Sequence, residues 1–174
     1  MITLQGKTAL VTGGGAGIGR AIAESFGALG AKVAVAEIDP NRLATVTAAL
    51  AAAGVDHLAA LADVREPAAV AKLMEEIDQR FGRLDLLVNN VGDYLRLAKP
   101  FAENSDDDWE QLYRTNLWQM FAVTRRRATV DTARQSGWQY HQPVIGRGFP
   151  WHAGIDGLLR LQNRDYGLHP QPCA

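Results

Sequence analysis

Thr12-Gly13-Gly14-Gly15-Ala16-Gly17-Ile18-Gly19 decides how this chain of 174 residues is read. The run follows a short apolar stretch, Ala9-Leu10-Val11, and opens an amphipathic one. A strand passing into a helix through a phosphate-binding turn would have this form. Glycines let the backbone turn tightly and come close to a pyrophosphate, whose charge then meets the free N–H groups at the helix start. An ordinary strand-to-helix turn is the plain alternative, and the flanking sequence has to decide between the two.

Outward from that turn, strand and helix patterns alternate. Residues 7–11 read as a short buried strand, and 18–29 as a helix with Ile22, Phe26 and Leu29 on one face. Gly30 supplies the helix stop, and 32–38 form the next strand. The Ala- and Leu-rich residues 41–53 predict a helix ending at Gly54, ahead of a strand over 57–62. Pro67 starts a helix in which Val70, Leu73, Met74, Ile77 and Phe81 share a face; Gly82 closes it, and 84–89 form a fourth apolar strand. Beyond a loop with Pro100, a last helix is expected over about 106–124. It has acidic residues in its first turn, where the helix dipole favours them, and apolar Trp109, Leu112, Met120 and Phe121. Such alternation implies βαβ units and an α/β fold, a Rossmann-like doubly wound parallel sheet covered on both faces.

Composition narrows the function classes. An apolar fraction of 47% and a formal net charge of −1 describe an ordinary globular chain. The N-terminal residues show no basic segment followed by an apolar one, and the Ala-rich stretch 43–55 is too weakly apolar to cross a bilayer. A cytoplasmic location with no membrane partner is the expectation. Cys173 stands alone, so no intrachain disulfide or cysteine cluster can form; His141, His152 and His169 have no ligand spacing, so no metal site is expected. Charge is uneven: residues 1–124 carry 11 Lys and Arg against 16 Asp and Glu, whereas 125–174 carry 7 Arg against 3 Asp. The arginines follow no helical stripe and the aromatics form no stacking series, so a nucleic-acid partner is not expected.

Several motifs, in order, make residues 3–124 resemble the short-chain dehydrogenase/reductase family. Thr12, Gly13, Gly17, Ile18 and Gly19 match its Thr-Gly-(three residues)-Gly-Ile-Gly turn. The resemblance gives Gly13 the turn, Gly17 the close approach of cofactor and Gly19 the packing of helix on sheet. Glu37, eighteen residues after Gly19, stands at a strand end where a carboxylate accepts from the adenosine ribose hydroxyls and repels a 2′-phosphate. That favours NAD over NADP; a solvated strand-end carboxylate is the alternative. Asp39 reads instead as the start of the turn at Pro40. Asp63-Val64 resembles the pair that contacts adenine, and Asn89-Asn90-Val91-Gly92 the family's Asn-Asn-Ala-Gly, which places Asn90 and Gly92 along the cofactor. Asn116 matches the family Asn that holds a water next to the catalytic Lys, the one catalytic position found; a locally bonded Asn is the alternative. The implied function is hydride transfer between NAD(H) and a small alcohol or carbonyl substrate. Family members associate as homo-oligomers through two helices, of which only the one containing Asn116 is found here, so self-association of this chain stays open.

The resemblance breaks where the family needs a Ser, a Tyr and a Lys four residues after the Tyr. Four residues beyond Tyr94, Tyr113, Tyr140 and Tyr166 stand Ala98, Leu117, Val144 and Pro170. A weak match resumes at Ala153-Gly154-Ile155-Asp156-Gly157-Leu158, with the family Tyr and Lys replaced by Gly148 and His152. Back-translated and read one nucleotide later, 137–151 are compatible with G-G-S-I-I-N-L-S-S-V-E-G-F-P-G, which resembles the family's fifth strand and its Ser segment. The expectation is an NAD-binding region over 1–124 and an unmatched tail over 125–174, with 126–152 arising from a shifted frame. The second half of the fold is then truncated or corrupted, the fourth strand has an open edge, and catalysis is impaired. A non-catalytic nucleotide-binding domain and a non-functional product of a frameshifted gene are the alternatives.

Overall fold

The apolar runs become the four strands β1 (Thr8–Thr12), β2 (Lys32–Glu37), β3 (His57–Leu61) and β4 (Leu86–Asn89), all parallel and in the spatial order β3-β2-β1-β4. Helices α1 (Gly17–Ala28), α2 (Pro40–Ala52) and α3 (Pro67–Phe81) make the crossovers. The computed structural model describes residues 3–93 and 100–134, with side chains of the last helix as far as Arg127. These residues fall within one compact unit, Met1–Gln142; a second, Pro143–Ala174, lies outside the described residues.

Neighbouring strand residues point to opposite faces, so one continuous apolar run feeds two cores. Val11, Val33, Val35 and Val88 pack with Ala23, Val46 and Leu50 of α1 and α2. Leu10, Ala34, Ala36 and Leu87 pack on the other face with Val70, Leu73, Met74 and Ile77 of α3. Size is balanced across each layer. Where β2 offers alanines, α3 brings long side chains; where β2 offers valines, α1 brings Ala23, and Gly27 lets the end of α1 pack closely on Val55. Each fully buried Leu or Ile contributes about 1.5–3 kcal/mol.

The sequence-predicted elements are present, with ends shifted by up to two residues. Proline opens both α2 and α3, and Asp39 caps α2 by accepting from the N–H groups of Asn41 and Arg42. The last helix differs from expectation. It forms three pieces: α4 (Asp106–Tyr113), a π-helical turn (Arg114–Trp118) and α5 (Gln119–Arg134), so it runs well past residue 124. Its expected apolar face is only partly covered, since Trp109 is 38% and Phe121 48% exposed. The helix is anchored instead through Val123 in the α3-side core and through polar groups near Asn116.

The chain turns from building one side of β1 to building the other between β3 and β4. The crevice at the carboxyl ends of β1 and β4 is therefore the topological switch point, where open α/β sheets bind their ligands.

Candidate functional site

The glycine turn sits at the carboxyl end of β1, beside that crevice. Gly13 (φ +63°) and Gly17 (φ +53°) adopt left-handed backbone, which disfavours a side chain. The two differ in surroundings. A Cβ on Gly17 would meet nothing within 4 Å, whereas one on Gly19 would run into the Gly13 carbonyl oxygen and the Asn90 amide nitrogen. Gly17 thus leaves an open approach, and Gly19 lets α1 come down onto the turn. Ala16 gives α1 no side-chain cap and its first turn carries no acidic residue, so the positive end of the helix is offered outward. Ile18, 66% exposed, stands beside it.

Glu37 ends β2 with its carboxylate against this turn and is only 5% exposed. Its Oε2 accepts from the Gly15 N–H at 3.0 Å, and its Oε1 from the N–H groups of Ile38 (3.0 Å) and Asp39 (3.2 Å). These bonds hold the charged group in place, and Oε2 keeps a lone pair for a further donor. Gly15, which sequence reasoning passed over, is tightly constrained: a Cβ there would lie 2.6 Å from Glu37 Oε2. The run of three glycines was the available signal.

The turn after β4 is fastened to the glycine turn. Thr12 Oγ1 donates to the Val88 carbonyl and accepts from the Asn90 N–H at 3.1 Å, and the Asn90 amide donates to the carbonyls of Thr12 (3.2 Å) and Gly13 (3.1 Å). Both side chains are thereby engaged in shaping the crevice. Asn116 lies in the π-helical turn, where its amide donates to the carbonyls of Asp93 (2.7 Å) and Leu112 (2.9 Å) while its Oδ1 accepts from the Asp93 N–H. Gly92 lies alongside, a Cβ there being 3.2 Å from Asn116 Oδ1. The Asn116 side chain is thus bonded to backbone close by. Gln119, also unforeseen, is buried and donates to the Val91 carbonyl at 3.0 Å. Its signal was a polar residue on the inward side of a helix.

Asp63 and Val64 follow β3. Val64 is buried in the α3-side core, and Asp63 is gripped by Arg65 through backbone N–H, Nε and Nη2, the last at 2.7 Å. Those hydrogen bonds outweigh burial and hold the Asp63 carboxyl below the usual carboxylate range. Arg65 was not singled out from sequence; a basic residue two positions after the Asp was its only mark.

No expected catalytic side chain other than Asn116 is brought to the crevice among the described residues. Tyr113 is exposed on α4. Tyr94, Tyr140, Gly148, His152 and Tyr166 lie outside the described residues, as does most of the stretch read as frame-shifted. Among the described residues there is no group of three or more His, Cys, Asp or Glu that could hold a metal ion. No helix among them is long and apolar enough to cross a membrane.

Residues 7–137 match the family model described as short chain dehydrogenase, a span that continues past residue 124. The chain is 40% identical over 115 residues to the short chain dehydrogenase/reductase dpmpG of Macrophomina phaseolina, covering 66% of this chain and 65% of that protein. It is 32% identical over 136 residues to the 2,3-dihydro-2,3-dihydroxybenzoate dehydrogenase of Bacillus subtilis, covering 77% and 51%. Among solved structures, the citronellol catabolism dehydrogenase AtuB of Pseudomonas aeruginosa superimposes with a TM-score of 0.69 at 33% identity, over 76% of this chain and 54% of that one. A 7 alpha-hydroxysteroid dehydrogenase complexed with NADH and 7-oxo glycochenodeoxycholic acid gives 0.68 at 31% identity, over 73% and 49%. The chain thus spans about half to two thirds of the length of these relatives.

Proposed function

The chain belongs to the short-chain dehydrogenase family, and from that premise we propose that its crevice holds NAD(H), the cofactor of hydride exchange with a small alcohol or carbonyl compound. The observation that carries this reading is the outward-facing, uncapped start of α1, with Gly17 leaving room before it and the Glu37 carboxylate fixed beside it. The N–H groups at the α1 start meet the pyrophosphate charge. Oε2 of Glu37 accepts from the adenosine ribose, and its charge disfavours a 2′-phosphate, so NAD is preferred to NADP. Asp63 and Val64 border the base, while Thr12, Asn90, Gly92 and Asn116 keep the wall formed by the β4 turn in place. When bound, the nicotinamide supplies the hydride donor or acceptor. A proton must also move on the substrate oxygen, and no Tyr in this sequence has a Lys four residues on. We therefore assign these 174 residues nucleotide binding without efficient turnover.

Titration of the full chain with NADH and NADPH, followed by nicotinamide fluorescence, tests the binding. Saturable NADH binding, with NADPH weaker by about tenfold or more, is expected. The reduced nucleotides are then paired with a panel of carbonyl compounds, and NAD and NADP with the corresponding primary and secondary alcohols; no turnover above buffer is expected. Binding of neither nucleotide would sink the reading, and measurable turnover would sink its non-catalytic half.

A further inference from the structure

We propose that Arg65 is a base-selecting residue, which competes with the amino group of a purine for the Asp63 carboxylate and so relaxes the preference for adenine over an oxo-purine. This rests on the dinucleotide-binding reading above. Asp63 Oδ1 accepts from the Arg65 backbone N–H and from Nε, each at 2.9 Å; Oδ2 accepts from Nε at 3.1 Å and from Nη2 at 2.7 Å. A carboxylate has about four lone-pair sites, and these four bonds fill them. An incoming amine gains a hydrogen bond to Asp63 only where a guanidinium N–H gives one up.

The guanidinium has a second place to go. Arg65 lines a cavity of about 250 Å³ together with Glu66, Gln111, Arg114 and Thr115. The Glu66 carboxylate, the Gln111 amide oxygen and the hydroxyl of Thr115, a residue only 7% exposed, are the acceptor groups there. Arg114, on the same lining, supplies a like charge that opposes entry, so the cavity is a competing place for the guanidinium rather than a sink for it. On Asp63, Arg65 still has Nη1 protons free to donate. An adenine presents an amine at the base edge and meets competition; a hypoxanthine presents a carbonyl, which a bare carboxylate repels but which accepts from those N–H groups. Either way the difference between the two bases is compressed. The side chain is 40% exposed, so its replacement leaves the core untouched.

The test compares dissociation constants of the full chain for NADH and for reduced nicotinamide hypoxanthine dinucleotide, in the wild type, Arg65→Ala and Arg65→Lys. Affinities of the wild type for the two should agree within about threefold, because any gain at Asp63 is offset by the guanidinium displaced. Arg65→Ala frees Asp63, and its preference for the adenine form should rise to about tenfold or more. Arg65→Lys, whose ammonium cannot grip both oxygens in fork geometry, should fall between them. A wild type already preferring adenine tenfold, or the same ratio in all three proteins, would overturn the proposal while leaving dinucleotide binding intact. Failure of every protein to bind either nucleotide would remove the dinucleotide reading itself, and this proposal with it.

Discussion

At the scale of single residues, the glycines of the turn do different work, and substitution separates them. Gly19→Ala puts a methyl group into the Gly13 carbonyl oxygen, a backbone atom that cannot swing aside, so a loss of about 3 kcal/mol in urea unfolding is expected. Gly17→Ala has space around it and suffers only its left-handed φ, about 1–2 kcal/mol, but its methyl group enters the approach to α1. NADH affinity should therefore drop by about tenfold or more in a Gly17→Ala protein that remains folded. A Gly19→Ala protein as stable as the wild type would refute the packing role. The glycine-rich run marked the turn in the sequence, because backbone conformation is a local property of the chain, and the family resemblance supplied the separate role of each glycine. The grip of Arg65 on Asp63 was not legible in the same way. It depends on which rotamer a long side chain takes and on the competing acceptors around it, neither of which a dipeptide such as Asp63-Val64 records.

Elements were legible where an apolar period had a partner to bury it. In α3 the spacing of Val70, Leu73, Met74 and Ile77 marks the buried face, and Pro67 and Gly82 mark its ends. Leu73→Ala should cost about 2–4 kcal/mol by chemical denaturation; a loss below 1 kcal/mol would mean that the α3 core is not packed as described. The helix after residue 105 was misjudged because its pattern and its backbone part company. Its start is plain, since Ser105 and Asp108 form a reciprocal capping box. Its continuation through Arg125-Arg126-Arg127 needs only good helix formers, not an apolar face. Within the π-helical turn Asn116 bonds to Asp93, 23 residues away along the chain, a contact that no helical periodicity encodes. The pairing of β1 with β4 has a similar polar fastening at its other end. Asp85 accepts from the Thr8 N–H at 2.9 Å and pairs with Arg83 and Lys7. Burial would raise its pKa, but Arg83, the Thr8 N–H and Lys7 together outweigh that and leave it below the ordinary value. A depressed folded-state pKa means stability that is full above the unfolded value, about 3.9, and lost as pH falls through the folded one. Asp85→Asn should lower stability at pH 7 by about 1–2 kcal/mol and flatten the acid limb of the urea midpoint below about pH 4. An unchanged acid limb would show that the group titrates alike in both states.

For the whole molecule, the order β3-β2-β1-β4 gives β1 and β2 neighbours on both sides among the described residues, and leaves β4 paired on one side. An open edge at β4 is the expectation from sequence, because no fifth strand of the family is found in the reading frame as written; the residues after 134 that bear on it lie outside the described ones. The sheet offers a direct test. Asp85 donates its N–H to the Thr8 carbonyl, and in a parallel ladder alternate residues face the same neighbour. Leu87 and Asn89 therefore donate toward β1, and the N–H groups of Leu86 and Val88 face away from it. Hydrogen exchange should find the amides of Leu10 and Val11 among the slowest, with Leu86 and Val88 faster by about a hundredfold or more, since edge groups open without separating the sheet. If Leu86 and Val88 instead match Leu87 in protection, a strand from outside the described residues, or from a second copy, covers β4. Repeating the measurement over a hundredfold range of protein concentration separates those two sources: protection by a second copy falls on dilution, and protection from within the chain does not. The open-edge outcome would leave the crevice with one wall built by β1, β2 and the turn after β4, enough to hold a dinucleotide but without the opposite wall against which a substrate would be held.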